Sequence, residues 1–425
     1  MSYRMPSPAY RCIDHCRICA GTDLAPILDL SEQMLTGVFP RSRDVHVTTG
    51  PLRLLKCMAD GGCGLVQLAH SYDLGEMYGD NYGYRSGLNA SMVAHLGEKI
   101  ARVRQQFALR PGDLIVDVGS NDGTTLGAYP EDTGLDLLGI DPTAGKFRQY
   151  YKPHVDLCAD FFSAATLRAV RPGKPVRILT SFSMFYDLEA PMAFMQDVHE
   201  VLADDGAWVF EQSYMPAMLA ALSYDTVCHE HLEYYALRQV KWMADRVGFT
   251  IVDVGFNDVN GGSFSVTAAK MTSGMQESPD VARILAEEVA MGLDTLAPFE
   301  DFAVRTAASR EGMRAFIDDV RAGGKTIAAL GASTKGNVLL QYCNVDTTDI
   351  AAVGEVNPDK FGAFTPGSWL PIRPEAEILE ANFDYLVVLP WHFRRHFLAN
   401  PAYAGRTLVF PLPRLDVVEV GSAVA

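Results

Sequence analysis

The sequence predicts an α/β protein with two doubly wound parallel sheets, preceded by a small module that a metal ion holds together. Three observations predict this fold class. Short apolar runs alternate with helical stretches after residue 91, a second α/β pattern begins near Thr326, and five of the eight cysteines fall in the first 63 residues. A chain of 425 residues has room for two to four domains. We expect three, over residues 1–75, 76–275 and 276–425.

The composition excludes several classes of protein. Hydrophobic residues make up 48% of the chain and charged residues 21%, as in folded globular proteins and unlike disordered or collagen-like chains. The formal net charge of −16 disfavours nucleic acid and anionic membranes as partners, because both attract basic surfaces. Residues 1–12 contain no hydrophobic signal core, and no apolar run is long enough to cross a bilayer. We therefore expect a cytoplasmic protein, with a monomer favoured.

The N-terminal module is predicted from its cysteines. Residues 1–70 lack helical periodicity, and two thiol pairs stand out, Cys16-x2-Cys19 and Cys57-x5-Cys63. A turn that closes each pair can deliver four thiolates to one tetrahedral Zn²⁺, with Cys12 as a spare thiol or a rival ligand. The alternative is a set of free cysteines buried as small apolar groups. Four thiolates would fill the shell of the metal, so the zinc would be structural.

The first sheet is predicted from a helix followed by short apolar strands. Apolar residues recur at helical spacing from Ser91 to Phe107, and Pro111-Gly112 ends that helix. A second helix is expected at residues 190–202. Strands are expected at residues 114–118, 137–140, 177–180 and 207–210, and an antiparallel pair at residues 250–256 and 263–269.

The second sheet follows a helical connection. Residues 278–322 are rich in Ala, Glu, Met and Arg, which favours helix. The strand at residues 326–330 leads into Gly331-Ala-Ser-Thr-Lys-Gly336, and further strands are expected at residues 384–389 and 407–410.

A glycine loop after the first strand predicts a nucleoside site. Val116-Asp-Val-Gly-Ser-Asn-Asp-Gly-Thr124 fits neither a dinucleotide fingerprint nor a phosphate loop, and we expect a helix after it at residues 124–128. Its two aspartates suit a cationic ligand, and an acid at the end of the next strand is placed to bind ribose hydroxyls. The alternative is a plain strand-to-helix turn. The expected cofactor contacts are Asp117, Gly119, Ser120, Asn121, Asp141, Asp160 and Phe161, the last offering a ring face to adenine.

Two further stretches are candidates for chemistry. In Tyr224-Asp-Thr-Val-Cys-His-Glu-His-Leu-Glu-Tyr-Tyr235 two histidines bracket an acid, which suits a general base with an orienting carboxylate. A metal site has weaker support there. The simple alternative is a pair of histidines on a loop whose hydrogen bonds are satisfied within the protein. Tyr78-Gly-Asp-Asn-Tyr-Gly-Tyr-Arg-Ser-Gly87 gathers tyrosines that could donate to an oxyanion or simply pack.

The glycine loop with its acids resembles the class I S-adenosylmethionine-dependent methyltransferases, whose sulfonium cofactor is cationic. In order along nearly the whole chain, the motifs resemble the nucleotide-sugar C-methyltransferases, which work in deoxysugar biosynthesis. The motifs are the N-terminal cysteine module, Tyr82-Gly-Tyr-Arg-Ser, the glycine loop, Phe210-Glu-Gln-Ser, Cys228-His-Glu-His-Leu-Glu-Tyr-Tyr, Asn260-Gly-Gly-Ser and Gly331-Ala-Ser-Thr-Lys-Gly-Asn337. The resemblance implies a zinc-binding domain, a class I methyltransferase domain and a C-terminal Rossmann-like domain.

The resemblance also implies a reaction and residue roles. Members of that family typically methylate C3 of a 4-keto-6-deoxyhexose on a nucleoside diphosphate, usually dTDP. It implies that His231 is the base, that Glu230 orients or polarises it, and that Tyr82 lies near the sugar and helps the oxyanion. Some members carry Tyr where this chain has Cys228, which leaves the sugar open. The implied substrate contacts are Cys228, His229, Asn260, Ser333, Lys335, Asn337 and Lys360. The last four are placed to meet a diphosphate or nucleoside at a strand-to-helix turn, and the alternative is that the lysines are ordinary surface residues.

Two other functions remain open on the sequence alone. An O- or N-methyltransferase acting on a small molecule would need no enolate base. A non-catalytic protein that binds nucleotide sugars would keep the architecture without turnover.

Overall fold

The computed structural model describes residues 10–77 and 85–421. The N-terminal domain is almost entirely β, which agrees with its lack of helical periodicity. Strands β2, β3 and β4 form an antiparallel sheet, and β1 pairs with β5. The elements are β1 (Tyr10–Cys12), β2 (Leu24–Met34), β3 (Thr49–Cys57), β4 (Val66–Leu68), β5 (His70–Tyr72) and the single turn α1 (Leu74–Met77).

The central domain contains a seven-stranded sheet whose order is β12-β13-β10-β9-β6-β7-β8. All strands are parallel except β13, which runs antiparallel to both neighbours. The strand order reverses direction at β6, which makes the sheet doubly wound. The elements are α2 (Ala90–Gln106), β6 (Leu114–Val118), β7 (Asp136–Ile140), β8 (Val155–Cys158), α3 (Ala164–Val170), β9 (Val176–Phe182), α4 (Pro191–Val201), β10 (Leu202–Ser213), α5 (Met215–Ala220), β11 (Glu233–Tyr234), α6 (Leu237–Val247), β12 (Phe249–Asn257) and β13 (Ser263–Lys270).

The C-terminal domain has a second doubly wound sheet, in the order β16-β15-β14-β17-β18-β19, with only β19 antiparallel. The helical connection predicted over residues 278–322 is two helices rather than one. The elements are α7 (Pro279–Ala290), α8 (Ala297–Ala322), β14 (Ile327–Leu330), α9 (Thr334–Tyr342), β15 (Val353–Glu355), β16 (Ile372–Pro374), α10 (Glu375–Glu380), β17 (Tyr385–Val388), α11 (Arg394–Ala399), β18 (Thr407–Phe410) and β19 (Asp416–Glu419).

One predicted element is wrong. The helix expected at residues 124–128 is only a single 3₁₀ turn, Leu126–Ala128. The Asp122 side chain accepts hydrogen bonds from the Thr124 backbone N–H and hydroxyl, at 3.3 and 2.6 Å. Such local bonds between an acid and the backbone compete with helix formation.

The segment from residue 223 to residue 235 lies where the three domains meet. Within it, β11 adds to the N-terminal sheet, where Glu233 pairs with Gln67 and Tyr234 with Val66. From the C-terminal domain, Trp391 Nε1 donates to Asp225 Oδ2 at 2.8 Å. The segment that carries the two candidate histidines is thus held by all three domains. Among the described helices, none combines the length and the apolar character that crossing a membrane would require.

Candidate active site

Four cysteine sulfurs converge in the N-terminal domain. Cys16 Sγ lies 3.4 Å from Cys63 Sγ, and Cys19 Sγ lies 3.5 Å from Cys57 Sγ. All four sulfur atoms lie within 4.8 Å of one another. A tetrahedral zinc with Zn–S bonds of about 2.3 Å places its sulfurs about 3.8 Å apart, so the cluster fits that ion and leaves no ligand position for water. Cys12 is exposed and lies outside the cluster.

The backbone of this cluster needs small residues. A side chain at Gly21 would place its Cβ 2.5 Å from the Cβ of Ala59, and one at Gly62 would meet the Ala59 carbonyl at 2.7 Å. The two cysteine turns approach each other closely because these positions carry no side chain. Gly61 adopts a φ of +64°, which supports the expected closure of the longer turn.

The glycine loop joins β6 to the edge of the sheet where β7 ends. Gly119 has a φ of +72°, and a Cβ there would lie 3.0 Å from the Met184 side chain. Asp141 Oδ1 accepts from the Thr143 N–H and hydroxyl at 2.6 and 2.7 Å, and its Oδ2 accepts from the Asn121 N–H at 2.8 Å. Because a carboxylate has about four acceptor sites, one remains on Oδ2. An acceptor position on Asp141 thus remains open, and its contact with ribose stays a prediction.

Asp117 and Ser120 hold the loop from inside. The Asp117 carboxyl lies 2.5 Å from the Thr180 hydroxyl and is only 2% exposed. Burial raises the pKa of Asp117 to about 7, so it is not a fixed negative charge at neutral pH. Ser120 Oγ lies 2.7 Å from the Tyr151 hydroxyl. Burial therefore opposes the negative charge that Asp117 was expected to present to the cofactor.

Asp160 and Phe161 remain open to a ligand. Both lie two to three residues beyond β8, and the Phe161 side chain is 55% exposed. Asp160 Oδ1 accepts a hydrogen bond from the Phe161 N–H at 2.7 Å. An exposed ring at this edge of the sheet suits stacking on adenine, and that contact stays a prediction.

Residues 85–87 lie against the glycine loop. The Ser86 N–H donates to Asn121 Oδ1 at 3.0 Å, and the Gly87 N–H donates to Asp122 Oδ2 at 2.8 Å. The Arg85 guanidinium stacks 3.9 Å from the centre of the Tyr150 ring. Asn121 and Asp122 thus fix the chain that leads out of the tyrosine-rich stretch. Tyr82, predicted to act near the sugar, lies outside the described residues.

His231 has a defined protonation pattern. Its Nδ1 lies 2.9 Å from the Thr226 carbonyl oxygen, and its ring packs 4.4 Å from the Tyr186 ring, centre to centre. A carbonyl oxygen only accepts, so Nδ1 carries the hydrogen and the neutral ring keeps its lone pair on Nε2. Burial, and then the charge of Lys335, lower the pKa of His231 to about 3. The ring is therefore neutral near pH 7, with Nε2 able to accept a proton.

Glu230 does not orient His231, which corrects the sequence prediction. The Thr226 carbonyl does so instead, while Glu230 Oε2 accepts a long hydrogen bond from the Thr36 hydroxyl, 3.5 Å away. A Cβ at Gly37 would lie 1.9 Å from Glu230 Oε1, so this approach depends on glycine. Burial raises the pKa of Glu230. The carboxyl group packs against the N-terminal domain.

His229 and Cys228 are structural in this arrangement. His229 is fully buried, with its Nδ1 3.3 Å from the Thr36 hydroxyl and its ring edge-on to Tyr72 at 4.6 Å. Burial lowers the pKa of His229 to about 3 and raises the pKa of the fully buried Cys228 thiol. Both were expected to contact substrate, and neither side chain is exposed to do so.

The predicted contacts of the C-terminal domain divide into two groups. Lys335 Nζ donates to the Asn260 carbonyl at 2.8 Å, which brings that pair to the domain boundary. The other three are engaged structurally. Ser333 caps α9 by accepting from Gly336 N at 3.0 Å, Asn337 Nδ2 donates to the Thr36 carbonyl at 2.7 Å, and Lys360 Nζ donates to the Ala332 carbonyl at 2.8 Å.

Sequence reasoning missed several polar residues at this boundary. Asp225 is fully buried and bonded to Trp391, and His392 follows directly. Trp391 and His392 lie just beyond β17, at the carboxyl edge of a doubly wound sheet where ligands bind. The rule that ligands bind at this edge of the sheet was the signal that could have identified Trp391 and His392 from the sequence. Asp225 lies within the dense polar stretch from Tyr224 to Tyr235, but nothing in the sequence indicated its partner.

Three family models match consecutive parts of the chain. Residues 16–78 match a zinc binding domain, residues 92–254 a methyltransferase domain, and residues 258–413 a C-methyltransferase C-terminal domain. The C-methyltransferase NovU of Streptomyces niveus is 28% identical over 428 residues, which cover 97% of this chain and 98% of NovU.

Two solved structures resemble part of the chain. One is a methyltransferase in complex with the Trm112 methyltransferase activator of Haloferax volcanii, with a TM-score of 0.36 and 13% identity over 43% of this chain and 94% of that chain. The other is the CcbJ methyltransferase of Streptomyces caelestis, with a TM-score of 0.33 and 14% identity over 41% of this chain and 89% of that chain.

The doubly wound seven-stranded sheet, its glycine loop and the matching methyltransferase domain define a class I methyltransferase. The zinc-binding and C-terminal domains on either side of it narrow the assignment. The chain is an S-adenosylmethionine-dependent C-methyltransferase of three domains, and its cofactors are S-adenosylmethionine and zinc.

Proposed function

We propose that the enzyme adds a methyl group to C3 of a nucleoside-diphosphate 4-keto-6-deoxy sugar. The observation that carries the proposal is His231, a neutral histidine whose Nδ1–H is fixed by the Thr226 carbonyl and whose Nε2 is left as a base. Methylation at carbon needs a carbon nucleophile, and a carbon next to a ketone becomes one when a base removes its proton. A base held in one tautomer is what this reaction requires.

The steps assign roles to the residues of the chain. His231 Nε2 takes the proton from C3, the C–H electron pair forms the C3–C4 double bond, and the carbonyl pair moves onto O4. S-adenosylmethionine, when bound, supplies a methyl group on a sulfonium. Asp141 would hold one ribose hydroxyl and the ring of Phe161 would stack on adenine. Cys16, Cys19, Cys57 and Cys63 are the proposed zinc ligands, because their sulfurs converge.

An O- or N-methyltransferase is the second candidate, and the site offers less support for it. Oxygen and nitrogen nucleophiles already carry lone pairs, so they need no carbon acid to be ionised. The full-length match to a C-methyltransferase favours the first candidate.

A transfer assay tests the proposed function. Methyl-labelled S-adenosylmethionine is incubated with the purified enzyme and dTDP-, GDP- or CDP-linked 4-keto-6-deoxyglucose, and the product is analysed by NMR. We expect label on C3 of one of these sugars. Absence of transfer to all three, or label on an oxygen or nitrogen, would overturn the proposal.

A further inference from the structure

A group of buried polar atoms lies between the central and C-terminal domains without partners. Among the described residues, Ser223 Oγ, Asp225 Oδ1 and His392 Nδ1 are buried side-chain atoms that make no hydrogen bond. Buried polar atoms of a folded protein normally have partners, because an unpaired one loses its hydrogen bonds to water without replacing them. Three of them on facing elements therefore indicate a place built for a polar ligand.

Short contacts join the segments that carry these atoms. Trp391 Nε1 donates to the other oxygen of Asp225 at 2.8 Å, which places His392 beside that loop. A Cβ built on Gly261 would lie 3.6 Å from Ser223 Oγ and 3.9 Å from the Trp391 ring. The preceding residue, Asn260, accepts from Lys335 through its carbonyl. We call these residues the interdomain pocket: Ser223, Asp225, Asn260, Gly261, Lys335, Trp391 and His392.

Lys335 is the cation of the interdomain pocket. Its ammonium has three N–H donors, and its one hydrogen bond in the structure goes to the Asn260 carbonyl. The residues that precede Lys335 and His231 in the chain lie close together, because a Cβ built on Gly37 would meet Glu230 Oε1 and lie 3.6 Å from the Thr334 hydroxyl. Burial, and then the charge of Lys335, lower the pKa of both His231 and His392. Two donors are therefore available to a ligand that reaches His231.

We propose that Lys335 donates a hydrogen bond to O4 of the keto sugar and stabilises the enolate while His231 removes the C3 proton. This inference rests on the proposed function and assigns Lys335 to the reacting end of the substrate, rather than to the diphosphate. As the C–H pair moves into the ring and the carbonyl pair moves onto O4, the ammonium keeps its proton and balances the new charge. The proton from C3 stays on His231 until solvent removes it.

Charge balance favours the keto oxygen over a diphosphate. Burial lowers the pKa of Lys335 and raises that of the fully buried Asp225, and the charge of Asp225 opposes the first of these effects. A diphosphate would bring about two negative charges next to Asp225, with the Lys335 ammonium to offset them. A neutral ketone adds no charge on binding and gains it only in the transition state. A fixed donor then stabilises the transition state more than the ground state.

The charge of Lys335 also explains how a histidine with a low pKa can act as a base. The Lys335 ammonium is one reason that the pKa of His231 is low. Negative charge developing on O4 offsets that ammonium, so His231 becomes more basic as the proton moves. Lys335 thus links the negative charge that develops on O4 to the basicity of His231.

Solvent deuterium exchange tests the proposal with the full-length enzyme. S-adenosylhomocysteine and dTDP-4-keto-6-deoxy-D-glucose are added in deuterated buffer, and exchange at C3 is followed by NMR. Losing one oxyanion donor costs about 100-fold to 1,000-fold, so Lys335→Met should slow exchange by that factor. Its dissociation constant for the sugar nucleotide should change less than tenfold. Lys325→Met, which removes an exposed lysine of the same domain, should behave like wild type.

Two readouts separate the possible outcomes. Lys335→Arg retains the cation, and its exchange should exceed that of a folded Lys335→Met. Lys335→Arg also serves as the second variant if Lys335→Met does not fold. In the Met variant the acid limb of the exchange rate should move to higher pH, because the pKa of His231 rises. Unchanged exchange in Lys335→Met with binding weakened more than tenfold would overturn the proposal in favour of a diphosphate contact. If wild type itself neither exchanges nor methylates this sugar, the proposed function fails instead.

Discussion

A single backbone carbonyl decides which nitrogen of His231 can act as a base. The Thr226 oxygen can only accept, so it fixes the hydrogen on Nδ1 and leaves Nε2 unprotonated. The sequence pointed to this histidine but assigned its orientation to the neighbouring acid, Glu230. Histidine and acid are adjacent in the chain, yet their side chains belong to different surroundings, and only the folded loop reveals that.

The cofactor contact of Asp141 is testable at the same scale. Hydrogen bonds to a charged group contribute about 1.5 to 3 kcal/mol, so Asp141→Ala should weaken binding of S-adenosylmethionine at least tenfold. Titration calorimetry measures this. Thr143→Val removes one hydroxyl that bonds to Asp141 but keeps the carboxylate, and should bind nearly as wild type does. Equal affinity of Asp141→Ala and wild type would refute the contact.

His229 predicts a pH dependence of stability. Burial lowers its pKa from 6.5 to about 3 in the folded state, so below pH 6.5 the unfolded chain binds more protons than the folded one. Stability is therefore lost as pH falls from about 6.5 towards 3, by up to about 1.4 kcal/mol per pH unit.

The measurement is the free energy of unfolding in urea at pH 7 and pH 5. Wild type should lose roughly 2 kcal/mol more than His229→Gln over that interval. The exposed histidine variant His46→Gln should follow wild type. Parallel curves for wild type and His229→Gln would show that the buried neutral ring does not contribute.

At the scale of elements, the zinc-binding domain supports the active site through one short strand. Strand β11 follows the two candidate histidines directly and pairs with β4 of the N-terminal sheet. The position of His231 therefore depends on a sheet that the cysteine cluster holds together. A structural zinc typically contributes a large share of the folding energy of so small a domain.

Removing one cysteine tests this dependence. Cys57→Ser should lower bound zinc from about one per chain to near zero, and should lower methyl transfer at least tenfold, because β11 loses its partner strand. Elemental analysis and the transfer assay measure the two effects. Cys12→Ser, an exposed cysteine outside the cluster, should change neither. Full activity in a zinc-free enzyme would contradict the link.

Secondary-structure elements were predicted correctly where apolar runs were clear. They were predicted incorrectly where local hydrogen bonds determined the backbone conformation. Six strands of the central sheet, including the antiparallel pair β12 and β13, were predicted from their sequence patterns, whereas β8 was not. The helix expected after the glycine loop did not form, because Asp122 bonds to the backbone of Thr124. The short edge strand β19 gave too few apolar positions to be recognised.

At the scale of the whole molecule, three domains meet around the loop from Ser223 to Tyr235. The sequence predicted the doubly wound methyltransferase sheet and the cysteine cluster. It did not predict that Thr36 of the N-terminal domain contacts His229 and Glu230, or that Trp391 binds Asp225. Contacts between residues more than 150 positions apart depend on domain packing, which leaves no local pattern in the sequence.

The central claim is that His231 removes the C3 proton of a 4-ketosugar. General base catalysis contributes about 100-fold to 10,000-fold, so His231→Ala should lose methyl transfer by that factor while its affinity for S-adenosylmethionine stays close to wild type. The most direct measurement is deuterium uptake at C3 in the presence of S-adenosylhomocysteine, where no methyl transfer can occur. Wild type should incorporate deuterium and His231→Ala should not. Equal exchange in the two proteins would contradict the claim and assign proton removal to another residue.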